Sequence, residues 1–108
     1  MTVKKNIYAL LFMLIFEGCK SPIPPLTDDD FKYANALFTI SDTTYLIEGR
    51  KLFIRNCGKC HYLRNPLSRT PEQWNQILME HQYDVKLPPH DFQKIKVYLL
   101  TVSRNAKK

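Results

Sequence analysis

Downstream of residue 26, apolar residues recur at the three- and four-residue spacing of amphipathic helices. Polar residues able to cap a helix precede several of these stretches, and prolines separate the later ones. The pattern predicts four helices joined by short connections, and therefore an all-α domain over residues 27–108.

The first helix is expected to begin after Thr27, because the threonine hydroxyl can cap it and three aspartates follow at the positive end of the helix dipole. We expect this helix to run to about Asn35. Residues 36–40 are apolar and prone to β-structure, so an extended segment packed on the domain is expected there.

A second helix is predicted from Ser41 or Asp42, either of which can cap it, to about Asn56. Its apolar stripe consists of Tyr45, Leu46, Gly49, Leu52 and Phe53. Residues 62–69, which include Pro66, are predicted to form a loop.

The third helix has a distinctive local start. Thr70 is followed by Pro71 at the first helical position and by Gln73 at the third, which completes a capping box. The stripe that follows is Trp74, Ile77, Leu78 and His81.

Two prolines interrupt the chain before the last helix. That helix is expected to start near His90 or Asp91, with His90 as its cap. Its apolar face carries Phe92, Ile95, Tyr98, Leu99 and Val102.

Residues 1–18 have the features of an export signal. Lys4 and Lys5 precede an unbroken apolar run over 7–16, which is too short to span a bilayer but suits a signal peptide. The sequence Glu-Gly-Cys at 17–19 resembles the lipobox of bacterial lipoproteins, in which the cysteine is lipidated and becomes the new N-terminus. This resemblance implies a lipid anchor on Cys19; an ordinary cleaved signal that leaves Cys19 as a thiol is the alternative.

Residues 19–26 are rich in proline and are predicted to be an extended tether between that anchor and the domain. The apolar content of 44% excludes a disordered tail, and 108 residues suffice for one small domain. Removing 18 of the 108 residues leaves 90, a size at which a domain often gains from a covalent staple.

The pattern Cys57-Gly58-Lys59-Cys60-His61 is the C-x-x-C-H attachment site of c-type haem. Two thiols separated by two residues can reach the two vinyl groups on one edge of a porphyrin. The adjacent His61 can then donate its imidazole nitrogen to the iron as proximal ligand. The motif predicts one covalently attached haem c.

Other uses of this motif fit the sequence less well. A thioredoxin-type redox site would follow a strand in a βαβ unit, and a structural zinc site would need a second pair of ligands. A plain disulfide between Cys57 and Cys60 suits an exported protein but leaves His61 unexplained.

The surroundings of the motif resemble small mono-haem class I c-type cytochromes over residues 27–104. The matching residues are Glu48-Gly49-Arg50-x-Leu52-Phe53, the C-x-x-C-H itself, and Ile95-x-x-Tyr98-Leu99. A haem motif followed by Thr-Pro-Glu-x-Trp, as at 70–74, is similar to short periplasmic members. The resemblance implies a helical bundle wrapped around the haem, in which Gly49 lets the last helix cross closely and Tyr98 packs at the crossing.

In those short cytochromes a methionine seven residues after the tryptophan completes the coordination of the iron. Here that position is His81. At about 100° per residue, His81 lies roughly 20° from Trp74 around the helix axis, whereas Met79 lies roughly 140° away. We therefore predict ligation by His61 and His81, and a reduction potential below that of His/Met relatives.

Alternatives to this ligand set stay open. They are Met79 or His90 as the ligand, an open position on the iron, and a His81 that only stabilises the C-terminal end of its helix. Pro66 is a further candidate, because its carbonyl could accept the second ring N–H of His61.

Basic residues surround the motif in sequence: Arg50, Lys51, Arg55, Lys59, Arg64 and Arg69. A solvated surface is the ordinary role of such a run. Around a haem edge, a basic rim would also attract a redox partner protein with an acidic docking surface. Anionic lipid is another candidate partner, and nucleic acid is not expected outside the cytoplasm.

The sequence thus predicts a lipid-tethered periplasmic cytochrome that transfers single electrons and has no substrate chemistry of its own. The alternative is a haem domain or subunit of a periplasmic oxidoreductase with an open iron site. A third hypothesis is a binding module in which Cys57 and Cys60 form only a disulfide.

Overall fold

The computed structural model describes residues 23–40, 42–57 and 63–106, and every regular element in these ranges is helical. The four α-helices are α1 (Asp28–Phe38), α2 (Thr44–Cys57), α3 (Pro71–His81) and α4 (Pro89–Val102). Single 3₁₀ turns occur at Pro66–Ser68 and Ser103–Asn105. For the described residues, the prediction of an all-α domain is confirmed.

Helix α1 starts as predicted and ends later. The Thr27 hydroxyl accepts the N–H of Asp30 at 3.3 Å, and the Asp30 carboxylate accepts the N–H of Thr27 at 2.9 Å, which forms a capping box. The helix continues past Asn35 to Phe38, so the prediction of an extended segment from residue 36 is wrong for 36–38. The helical continuation lets Phe38 pack against the core, and this packing outweighs the β-preference of the local sequence.

Thr39 ends α1 in the left-handed conformation, with φ of 53°, and its N–H donates to the carbonyl of Asn35. Helix α2 then begins at Thr44, where the Asp42 carboxylate accepts the N–H of Thr44 at 2.9 Å. This hydrogen bond lowers the pKa of the Asp42 carboxyl. Asp42 therefore supplies the cap predicted for this helix, and Ser41 lies outside the described residues.

Helix α4 begins at Pro89, one residue before the predicted start. Pro88 is the N-cap residue and no side chain caps the helix, so the prediction of His90 as cap is wrong. Pro89 suits the first helical position because its missing N–H has no partner to lose there. The exposed ring of His90 instead meets the Tyr45 ring edge-on, with centroids 6.3 Å apart.

Helices α2 and α4 cross at Gly49, which is buried. A Cβ added at Gly49 would clash with the carbonyl of Lys94 and would lie 2.9 Å from the Cβ of Tyr98. The role that the family resemblance implied for Gly49 and Tyr98 is therefore found in this packing. Glycine in mid-helix costs about 1 kcal/mol relative to alanine, and the close approach of the two backbones accounts for its presence.

The core is built on three aromatic side chains from three helices. Phe53 of α2 meets the Trp74 ring of α3 edge-on at 5.9 Å and the Tyr98 ring of α4 at 5.8 Å. All three are nearly or fully buried. This aromatic cluster joins the end of α2 to the two helices that follow it.

Two arginines hold residues 23–24 and helix α1 to the rest of the domain. Arg104 pairs with Asp30 of α1 at 2.6 Å and lies 4.7 Å from the centre of the Tyr33 ring. Arg50 of α2 donates to the carbonyls of Ile23 and Pro24 at 3.1 and 3.2 Å. Ile23 is buried, so residues 23–26 of the predicted tether are packed against the domain.

Tyr98 is fully buried, and its hydroxyl finds no hydrogen-bond partner within the described ranges. Burial raises the pKa of Tyr98 to about 12, against an opposing influence from the charge of Arg50. The phenol is therefore neutral at every physiological pH.

We expect Gly49→Ala to lower the free energy of unfolding by about 1–3 kcal/mol, because the added methyl group separates α2 from α4. Chemical denaturation followed by circular dichroism measures the change. Lys51→Ala, at an exposed position of the same helix, should stay within about 0.5 kcal/mol of the parent protein. A Gly49→Ala protein as stable as its parent would contradict the close crossing.

Tyr98 should also make the fold sensitive to alkali. Its pKa is raised from 10.0 to about 12 in the folded chain. The neutral phenol's contribution to the free energy of unfolding is therefore complete below pH 10 and is lost as pH rises toward 12. Between about pH 8 and about pH 11, the free energy of unfolding of the parent should fall by roughly 1.4 kcal/mol more than that of Tyr98→Phe, which has no phenol to ionise. Chemical denaturation at both pH values measures this difference. Tyr83→Phe, at an 87% exposed position, is the control and should lose as much stability as the parent.

Candidate functional site around Cys57

Cys57 is the last residue of α2 and the first residue of the C-x-x-C-H motif. It lies four positions after Phe53, so the two side chains share one face of the helix. Cys57 is half-buried and packs against the core. A group bonded to its sulfur would therefore lie beside the aromatic cluster of α2, α3 and α4.

The other predicted attachment residues, Cys60 and His61, lie outside the described residues, as does the predicted lipidation site, Cys19. The described chain resumes at Leu63, which is half-buried and packs against the core. The motif is thus bounded on both sides by residues held in the fold.

The loop after the motif is anchored by hydrogen bonds within the turn Pro66–Ser68. The Asn65 side chain accepts the N–H of Leu67 at 2.9 Å, and the Ser68 hydroxyl donates to the carbonyl of Asn65 at 2.6 Å. The segment predicted as a plain loop therefore contains one helical turn.

Pro66 is buried, and its carbonyl already has a donor. The indole N–H of Trp74 donates to this carbonyl at 2.7 Å in a buried setting. A carbonyl oxygen has two lone pairs, so one remains for the predicted hydrogen bond from His61. Trp74 therefore positions the Pro66 carbonyl as well as filling the core.

Helix α3 starts with the predicted capping box. The Thr70 hydroxyl accepts the N–H of Gln73 at 3.3 Å, and the Gln73 side chain accepts the N–H of Thr70 at 2.9 Å. Trp74 and Leu78 are buried and Ile77 is half-buried, which confirms the buried face of this helix.

His81, the predicted distal ligand, ends α3 with its side chain 52% exposed. The expectation that His81 shares the buried face of Trp74 and Leu78 does not hold. At the end of α3 no later turn covers that side of the helix, and the chain turns away at residues 82–84. The His81 ring instead contacts the Asp84 carboxylate through Nδ1, at 3.2 Å.

Met79, the alternative ligand, is 60% exposed. Its sulfur lies 3.9 Å from the side-chain nitrogen of Asn75, one turn earlier on the outer face of α3. This placement agrees with the helical-wheel argument, which put Met79 far from Trp74.

The basic residues near the motif do not all form one surface. Arg50 is bound to the backbone of residues 23–24, which removes it from the predicted rim. Lys51, Arg55 and Arg64 are exposed, and Lys59 lies outside the described residues. Arg69 is half-buried, and its Nε has no hydrogen-bond partner among the described residues.

The described residues fit a haem in two respects. Cys57 is placed at a helix end beside aromatic side chains, and the segments that border the motif offer half-buried apolar residues. These residues are Leu52, Ile54 and Leu63. A planar macrocycle needs apolar walls of this kind, with few polar groups.

Within ranges 23–40, 42–57 and 63–106, no group of three or more His, Cys, Asp or Glu side chains could hold a metal ion. A haem iron takes only two axial ligands from the protein, because the porphyrin supplies the rest. In the described part of the chain, the candidates for such a ligand are single residues, His81, Met79 and His90.

Sequence reasoning missed two partners in this region. Asp84 follows His81 by three residues, a spacing at which side chains meet on a helix, so it could have been noticed. The contact of Arg50 with residues 23–24 crosses 26 positions of sequence, and no local pattern signals it.

No family model, curated protein or solved structure matches the chain. Among the residues that the structure describes, no helix combines the length and hydropathy needed to cross a bilayer.

Trp74→Phe should lower the free energy of unfolding by about 1–3 kcal/mol, because the Pro66 carbonyl loses its buried donor while most of the ring volume is kept. Denaturation followed by circular dichroism tests this. Gln76→Ala, at an exposed position of the same helix, is the control. A loss no larger than that of the control would show that this hydrogen bond does not anchor the turn.

Proposed function

We propose that this chain is a small c-type cytochrome that carries one covalently bound haem and transfers single electrons outside the cytoplasm. The observation that carries the proposal is the C-x-x-C-H motif at 57–61 in a chain that begins with an export-type segment. Attachment of c-type haem takes place outside the cytoplasm, so the two sequence features agree with each other.

Three features of the described fold support this proposal. The first cysteine ends a helix on the face that carries Phe53, the helix crossing at Gly49 has the close packing that the family resemblance implies, and the domain is all-α. Each feature concerns the protein scaffold, and together they support a covalent attachment site at Cys57.

In the proposed holoprotein, Cys57 and Cys60 hold the haem by thioether bonds and His61 is the proximal ligand. The bound haem supplies an iron centre that cycles between two oxidation states. The protein holds the imidazole in place and keeps water from the ring with apolar side chains. The Pro66 carbonyl, held by Trp74, accepts the second ring N–H of His61 and so orients that ligand.

His81 is proposed as the distal ligand, and its contact with Asp84 favours it over Met79. If Nδ1–H donates to the Asp84 carboxylate, the proton sits on Nδ1 and the lone pair is on Nε2. In this tautomer Nε2 can bind a metal, and the carboxylate makes the ring a better donor. The Met79 sulfur, by contrast, lies on the outer side of the helix.

The second candidate function is a haem subunit of a periplasmic oxidoreductase with an open iron position. The observation that favours it is the 52% exposure of the His81 side chain. If His81 stays in solvent at the end of α3, a small ligand can bind the iron instead. The two functions therefore differ in the occupant of one coordination position.

The proposed partners follow from charge and anchoring. Exposed Arg55 and Arg64 beside the motif would attract a redox protein with an acidic docking surface. Lipidated Cys19 would hold the domain at a membrane. The chain is proposed to act on no substrate of its own.

Maturation of the full chain in a bacterium able to attach c-type haem tests the central proposal. We expect the intact mass to exceed that of the polypeptide by one haem, and a pyridine haemochrome spectrum typical of two thioether bonds. The paired variant Cys57→Ser/Cys60→Ser should lose both signals, whereas Cys19→Ser should lose only the acyl chains. A native protein with the mass of its amino acids and acyl chains alone would refute the haem.

The distal ligand is tested by spectroscopy of the ferric and ferrous protein. We expect His81→Ala to bind carbon monoxide quickly while the parent binds it slowly, because removal of the imidazole opens the iron. His81→Met should raise the reduction potential and produce the far-red charge-transfer band of methionine-ligated ferric haem. That band in the parent protein, with its loss in Met79→Ala, would assign Met79 instead.

A further inference from the structure

The predicted tether comprises residues 19–26, but residues 23–26 pack against the domain. Only residues 19–22 can therefore act as a tether. Arg50 donates from Nε to the carbonyl of Pro24 at 3.2 Å and from Nη2 to the carbonyl of Ile23 at 3.1 Å. The Ile23 side chain is only 4% exposed. We call residues 23–26, held in this way against α2, the strap.

The strap limits how far the domain can move from residue 19. Four residue steps separate Cys19 from Ile23, which span at most about 14 Å when fully extended. If the strap were free, eight steps to Thr27 would allow about 28 Å. The Arg50 guanidinium therefore halves the reach of any anchor attached to Cys19.

Close to Arg50 in sequence, α2 carries a partly exposed apolar side chain and an exposed cation. Ile47, three positions before Arg50, leaves 38% of its surface exposed. Lys51, four positions after Ile47, is exposed on the same helix. Partly exposed apolar side chains with nearby cations suit the boundary of a bilayer that contains anionic lipid.

We propose that the face formed by the strap, Ile47 and Lys51 is apposed to the bilayer surface and that Arg50 keeps it there. This inference rests on the proposed lipidation of Cys19 and adds to it an orientation of the domain. The partner is the anionic phospholipid of the membrane that holds the anchor. Cys57 lies seven residues beyond Arg50 on α2, about 10 Å along the helix axis, so the proposed haem stays close to the membrane.

The test uses the full chain, matured in its host and reconstituted in vesicles of neutral and anionic phospholipid that contain a photoactivatable headgroup. Peptide mass spectrometry after illumination locates the crosslinks. We expect them in the strap and around Ile47 and Lys51, with few in α3, whose exposed residue Gln76 serves as the reference.

Two variants change the reach of the anchor. A Gly/Ser insertion of about 20 residues between Ser21 and Pro22 should reduce crosslinks at the strap face roughly 15-fold, because effective concentration falls with the three-halves power of linker length. Arg50→Gln, which releases the strap, should reduce them roughly threefold. The insertion leaves the folded domain untouched, so it tests the proposal even if Arg50→Gln is unstable.

Intact mass, measured before crosslinking, separates this proposal from the one on which it rests. With acyl chains present, crosslinks spread equally over α2 and α3, or an unchanged pattern after the insertion, would overturn the orientation alone. Absence of acyl chains would overturn the orientation together with the lipid anchor, whereas the added mass of a haem reports independently on the cytochrome function.

Discussion

The close crossing of α2 and α4 is the contact on which the rest of the molecule depends. It exists because Gly49 has no side chain where the backbone of α4 passes. The crossing places Tyr98 against Phe53, and Phe53 in turn meets Trp74 of α3. Because Cys57 stands one turn beyond Phe53, the position of the proposed attachment site follows from this single approach of two backbones.

Hydrogen bonds over long sequence distances complete the domain. Arg50 holds the strap and Arg104 holds α1 through Asp30. In both cases an arginine side chain donates hydrogen bonds to oxygen atoms of a segment distant in sequence, and so ties that segment to the small domain. Trp74 has a related role nearer the site, since its indole N–H fixes the buried carbonyl of Pro66.

The proposed haem-binding motif is bordered on both sides by residues that pack on the helical domain. Cys57 enters it from a helix end that is packed on the core, and the turn after Leu63 leaves it with its hydrogen bonds satisfied. The proposed distal residue is held differently. His81 lies at the end of α3 and contacts Asp84 near solvent, so the proposed proximal side is bounded by packed structure and the proposed distal side by an exposed turn.

The sequence alone determined the class of fold and the starts of α1 and α3, and the proposal of haem attachment at residues 57–61 also comes from the sequence. Those starts depend on hydrogen bonds between residues three apart, as between Thr27 and Asp30, which any local window contains. The tertiary structure alone decided where α1 ends, because Phe38 finds its packing partners elsewhere in the chain. It also decided that Arg50 binds the strap and that His81 turns toward Asp84, since burial depends on neighbours that a helical repeat does not specify.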